Sequence, residues 1–387
     1  MSKRQRFQNH TVLKKWGNYS DQKGINRYFG IPFEIKNQYD PTGKFTNKLW
    51  DKYYSKEKLA YYKAWKKKLE PASLVKDYFR PYDNAYLSLP EWYIVYAAGE
   101  YAAVLEGGLP SDFDYSQANR DYWEQYDRVI KLTETSPNNN DGYKTVLNVI
   151  GWSFAAENFI KNIYENTIGR ASEFVAGETQ VAEDKYAAKV AKDYAAFIYD
   201  YPWYDFPYSS YLKGLWTLDN TIDHTFGQVL RRIERKLILS LEYGLKTLYS
   251  KAIAYATHQQ FGVQDDIVYA IVTRDGGKTS ELISAPHYQP FTKLLLKEVE
   301  KERNNPKFSI IDIAGNEKIT FCYRDKVGSP IVSGGKEIIR DTELNRIMNG
   351  KKEFMDRITV EANVKDIVPV YKQLQEKQVN IEHFYDY

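Results

Sequence analysis

Cysteine is nearly missing from this chain: Cys322 is the only one among 387 residues. A single thiol excludes an intrachain disulfide framework and any multi-cysteine zinc or iron–sulfur site. Histidine is also scarce, and His10, His224, His258, His287 and His383 include no pair at metal-ligand spacing. Long apolar runs are lacking too. The longest uncharged stretch, Ala252 to Gln264, has 13 residues and is half polar. The most apolar one, Thr145 to Ala156, is closed by Lys144 and Glu157, well short of the roughly 20 residues a spanning helix needs. The opening MSKRQRFQNH is positive but has no apolar segment behind it, so it does not read as a secretory signal. A cytoplasmic location is the expectation.

Signatures of common chemistry are missing as well. There is no G-x-x-x-x-G-K-[ST], no G-x-G-x-x-G after a strand, no G-x-S-x-G and no H-E-x-x-H. Gly276–Gly277–Lys278–Thr279 imitates the end of a phosphate loop but lacks the earlier glycine, and reads as a hairpin loop. Cys322 falls in an expected strand without a neighbouring histidine, the setting of a buried inert thiol. No cofactor and no metal are implied.

What is plentiful is aromatic. Tyr, Trp and Phe make up 16% of the chain, so ring packing is expected to fill much of the core. Charge is unevenly placed. Residues 1–80 hold 19 Lys+Arg against 7 Asp+Glu, leaving 35 against 44 for the rest. A basic arm of this kind suits pairing with the acidic remainder of the chain, an anionic membrane surface or a protein partner through residues 1–70. Nucleic acid is the least favoured partner.

The pattern divides into a basic extended arm (1–46), a helical aromatic-rich body (47–262) and an α/β region (263–387). In the body, Asn47–Glu70 reads as an amphipathic helix. Ser88–Leu–Pro–Glu91 reads as a capping box opening a helix to Leu105, with Pro90 in its first turn. Asp114 with Gln117 caps a second helix to about Thr133. Others span Tyr143 to about Ile168, ended by Gly169, Glu178 to Tyr199, and His224 to Gln260. Beyond Gly262 the period changes to that of strands. Asp266–Thr273, Phe308–Ile313, Lys318–Tyr323, Phe354–Glu361 and Val379–Tyr385 read as strands. Pro290–Arg303, 337–348 and the segment capped by Asn363 read as helices. Gly315–Asn316 marks a hairpin between the second and third strands. The β-α-β-β-α-β-α-β order gives an α+β protein with a C-terminal ferredoxin-like α/β sandwich. Its exposed strand edges offer a route to a homodimer through the C-terminal domain.

Several phrases together carry a resemblance: Leu89–Pro–Glu–Trp–Tyr–Ile–Val–Tyr96, Tyr164–Glu–Asn–Thr–Ile–Gly–Arg170, Pro202–Trp–Tyr–Asp–Phe206, Arg235 followed by Leu241–Glu–Tyr–Gly–Leu–Lys246, and His383–Phe–Tyr–Asp–Tyr387. Over residues 80–387 the chain resembles a family of bacterial proteins with no assigned activity. The resemblance implies a hydrophobic N-terminal anchor, in whose place this chain carries its basic polar arm. It supplies no catalytic residues.

Candidate binding residues come from charges set against apolar faces. Glu157 falls in the stripe formed by Val146, Ile150, Phe154, Tyr164 and Ile168, with Lys161 one turn away as a partner. On the 224–260 helix, Leu237–Ile–Leu–Ser–Leu241 is apolar nearly all round and is expected at the centre of the bundle. Arg231, Arg235 and Glu242 share another face. If they meet Glu157 or Glu165, a buried charge network results, one that suits an anionic small molecule or fixes helix register. The leading functional expectation is a non-enzymatic ligand-binding, regulatory or assembly protein. The alternatives are a peripheral membrane protein using its basic aromatic N-terminal region, and an enzyme built on the Glu/Arg site.

Overall fold

The computed structural model describes residues 83–134, 141–199, 203–218, 225–261, 267–278, 280–286, 289–348 and 351–385. The expected arm and the Asn47–Glu70 helix lie outside the described residues. The helical region comprises α1 (Asp83–Gly107), α2 (Tyr115–Thr133), α3 (Asp141–Tyr164), α4 (Arg170–Val175), α5 (Ala182–Ile198), α6 (Tyr208–Trp216) and α7 (Phe226–Phe261). Then follow β1 (Ile267–Thr273), β2 (Glu281–Pro286), α8 (Gln289–Glu302), β3 (Ser309–Ile313), β4 (Lys318–Lys326), β5 (Gly335–Met348), β6 (Lys351–Asn363), α9 (Ile367–Glu376) and β7 (Ile381–Tyr385). The chain is α+β, with antiparallel strands after the helices. Among the described residues, no helix is long and apolar enough to cross a membrane.

Local signals account for several boundaries. Asp114 caps α2, its Oδ1 accepting from the Gln117 amide at 2.8 Å. The loop at Gly276–Gly277 joins β1 to β2, with φ of 78° and 91° that only glycine adopts easily. The helix expected from Ser88 starts instead at Asp83, and the Ser88 hydroxyl donates to the Ala85 carbonyl inside it. Pro90 therefore sits in the helix interior, where it has no N–H for the Tyr86 carbonyl. Gly169 does not end α3. A π turn over Glu165–Gly169 carries the chain into α4.

The strands divide between two sheets, β2-β1-β3 and β5-β6-β4-β7. The element order is β-β-α-β-β-β-β-α-β, and a ferredoxin-like topology is not shown. Three local differences explain this. The segment 337–348, expected as a helix, is strand β5, paired with β6 from Gly335↔Ala362 to Met348↔Lys351. Two bulges place buried residues in neighbouring couples, Ile338–Ile339 and Glu343–Leu344, which erases the period-2 pattern a strand normally shows. Second, Gly315–Asn316 makes its turn but no β3–β4 hairpin. Ile313 and Asn316 form one isolated bridge, β3 then pairs with β1, and β4 is occupied on both sides by β6 and β7. Third, β2 was not expected at all. At the other end of the sheet, Asn363 makes no side-chain cap and instead donates to Asp366 at 2.8 Å.

Helix α1 joins the two halves. Ala85, Leu87, Leu89, Trp92 and Tyr96 lie in the same apolar core as Phe321, Val360 and Phe384 of the second sheet. The Trp92 and His383 rings are 3.7 Å apart, and the Tyr96 hydroxyl lies 2.9 Å from that of Tyr385. Arg357 of β6 stacks over the Tyr96 ring at 3.6 Å and holds Glu343 with two hydrogen bonds of 2.8 and 2.9 Å. Cys322 is fully buried beside these rings, and burial pushes its thiol up, as expected of an inert thiol.

The helices α3 and α7 differ most from expectation. The middle of α7 is not central: Leu237 is 62% exposed and Leu241 57%, and in that run Leu239 is the leucine that is buried. Arg231 and Arg235 are buried instead. Ile168, counted in the inward stripe of α3, is exposed as well.

Candidate functional site

The five candidate residues separate into two clusters. Glu157 and Lys161 of α3 meet Glu242 of α7, whereas Arg231 and Arg235 of α7 turn toward α5 and the π turn.

In the first cluster, Lys161 Nζ lies 3.0 Å from Glu157 and 2.8 Å from Glu242. Lys246, one turn beyond Glu242, closes the ring at 2.8 Å from Glu157 and 3.0 Å from Glu242. Two carboxylates and two ammonium groups thus alternate between α3 and α7. They form the charged wall of a cavity of about 120 Å³. The remaining wall is mostly aromatic and small aliphatic, including Tyr101, Phe154, Tyr194, Tyr208, Tyr243 and Ala191. Lys161 lies over the Tyr101 ring at 5.2 Å and Lys246 over Tyr208 at 5.8 Å. Glu157 lines the cavity and keeps 45% of its side chain accessible.

Burial alone would raise Glu157, but Lys246 and Lys161 outweigh it and hold the carboxyl down to about 2. The same contest leaves Glu242 well below the usual carboxylate range. Burial works against the charge on Lys161 and Lys246, and the facing carboxylates more than restore it, so both stay firmly protonated. Burial also drives the Tyr101, Tyr194, Tyr208 and Tyr243 hydroxyls up. Near neutral pH, all eight groups have a fixed protonation state.

The second cluster is a structural lock built on the buried Arg231, Arg235, Asp184, Glu173 and Glu165. Arg231 Nη2 donates to Asp184 at 2.9 Å and Glu173 at 3.2 Å. Its Nη1 donates to Ser172 at 2.7 Å, Glu234 at 3.0 Å and the Gly169 carbonyl at 3.2 Å. Arg235 reaches Glu165 at 3.0 Å and Asp184 at 3.1 Å. The π turn makes this possible by turning Glu165 and Gly169 inward together. At Gly169 a Cβ would stand 2.5 Å from Glu165 Oε2, so a side chain there would push the Glu165 carboxylate aside. The Arg231 fork is filled by protein acceptors, which leaves it no donor for an external anion, and Arg235 is buried against Glu165 and Asp184.

Sequence reasoning missed Lys246, Asp184 and Glu173. The first had a legible signal, four residues after Glu242 on one helix. Asp184 and Glu173 had none, because their pairing with Arg231 crosses 47 and 58 residues of chain. Among the described residues, no group of His, Cys, Asp or Glu is arranged to hold a metal ion. No protein-family model, curated protein or solved structure matches the chain.

Proposed function

We propose that this is a non-enzymatic binding protein whose helical region takes a small amphipathic molecule into the α3–α7 cavity. The observation that carries the reading is the chemistry of the walls. Proton transfer at a catalytic site needs a group whose pKa lies near the working pH, and here the carboxylates are held low while the ammonium and phenol groups are held high. Such walls recognise charge and shape without exchanging protons. A cavity of about 120 Å³, somewhat below the roughly 150 Å³ apolar cavity that takes benzene, limits the guest to a small molecule of at most about one ring. The tyrosine faces suit that ring, and the alternating Glu157, Lys161, Glu242 and Lys246 suit an amino or carboxyl substituent.

Native mass spectrometry of the purified full chain should show a small co-purifying species. Thermal denaturation against a panel of single-ring amines, carboxylates and zwitterions should show stabilisation by at least one of them. Ala191→Leu fills the cavity and should abolish that shift while leaving the unliganded protein folded. If no panel member moves the melting temperature and no species co-purifies, the reading fails.

A further inference from the structure

Helices α3 and α7 are turned inside out relative to a water-facing pair. Their charges point inward to the clusters above, while Trp152 and Ile160 of α3 and Phe226, Leu237, Leu241 and Leu248 of α7 are 57–79% exposed. From Phe226 to Tyr249, none of the exposed side chains of α7 is charged. From Thr145 to Ile163 of α3, Glu157 is the one exposed charged residue, and its charge is paired at the groove between the two helices. With Trp216, Phe174 and their neighbours, the exposed apolar side chains amount to on the order of 2,000 Å², against roughly 300–600 Å² for the largest patch on a typical monomer. A standard protein interface needs roughly 800 Å² from each partner, and obligate homodimers use more.

We propose that this face is the interface of a symmetric homodimer, with α3 and α7 of one copy seated on α3 and α7 of the other. Three observations select a second copy. The area matches what an obligate dimer buries. The stretch of α7 from Phe226 to Tyr249 exposes no charged side chain, whereas Arg170, Lys213 and Lys251 are exposed toward the margins of the patch, so pairing the α7 ridge with itself brings no like charges together. The same lack of charge offers nothing to neutralise residues 1–80, whose 19 Lys+Arg and 7 Asp+Glu would be desolvated there. The face also has the form for interlocking: Val229, Ile233, Leu237, Leu241 and Leu245 are spaced four apart, as a continuous ridge of α7. Seated this way, the partner covers the groove beside Glu157 and encloses the charged wall of the cavity. The interface does not depend on whether the cavity holds a ligand, and it lies apart from the strand edges of the C-terminal region.

The test is the mass of the full chain in solution by analytical ultracentrifugation at micromolar concentration, without ligand. The expected result is a dimer. Leu237→Glu with Leu241→Glu places two charges on the ridge and should weaken association at least about 100-fold, with the helical circular dichroism retained because both positions are exposed. A second measurement removes dependence on that variant. Leu241→Cys should give a covalent dimer with a short bis-maleimide, while the wild-type chain, whose Cys322 is buried, should give none. A monomeric wild type would overturn the proposal, as would a dimer unchanged by the ridge charges and uncrosslinked at position 241. Flotation of a monomer with liposomes, lost in the Leu237→Glu, Leu241→Glu variant, would assign the face to lipid and overturn it too.

Discussion

Glu100 gives a pH signature with a defined sign. It lies on α1, and its Oε1 accepts from the Leu344 amide of β5 at 2.9 Å. Burial is the main force on it, and Glu343 and Asp121 add repulsion; the Leu344 amide and Arg357 pull the other way, and the carboxyl ends near 7 instead of 4.5. The folded chain therefore binds this proton more tightly than the unfolded chain. The associated stability is fully present below about pH 4.5 and is lost as the pH rises through about 7. At about 1.4 kcal/mol for each pH unit of the interval, the loss reaches at most roughly 3–4 kcal/mol. Glu100→Gln keeps an oxygen for the Leu344 amide and removes the ionisation. In urea titrations followed by circular dichroism, the variant should match the wild type near pH 4.5 and exceed it progressively toward pH 8. A difference that is constant with pH, or that grows toward acid, would refute the reasoning.

Three further outcomes follow from the packing. Arg231→Met should cost about 3–5 kcal/mol in urea unfolding, because it removes the cation paired with buried Glu173 and leaves buried Asp184 with Arg235 in place of two arginines. Gly227→Ala should cost about 1–3 kcal/mol or more, since its Cβ would fall 1.9 Å from the Val175 carbonyl oxygen and push α7 away from α4; the same urea assay reads it. Cys322 should resist a thiol reagent such as Ellman's in the native chain and react at the rate of global unfolding, because it is buried and its thiol is raised by that burial; rapid native labelling would contradict the packing around Tyr96 and Tyr385.

The sequence by itself determined what depends on near neighbours. The shift from helices to strands falls between Phe261 and Ile267, where the apolar period changes, and Asp114 marks the start of α2 because a cap acts over three residues. The lack of paired cysteines and phosphate-loop glycines is likewise a property of composition. Tertiary structure decided the rest. Periodicity located the apolar stripes of α3 and α7 but carries no information on which side of a helix its neighbours occupy. The charged side faces inward because Asp184, Glu173 and Glu165 wait there for Arg231 and Arg235, a complementarity between segments remote in the chain. Strand β5 was hidden because its two bulges break the alternation that reveals a strand, and because pairing with β6 overrides its helix-forming Glu and Arg residues. The turn at Gly315–Asn316 was legible; the separation of β3 and β4 into different sheets was not, because it depends on β1 pairing with β3 and on β6 and β7 occupying both sides of β4.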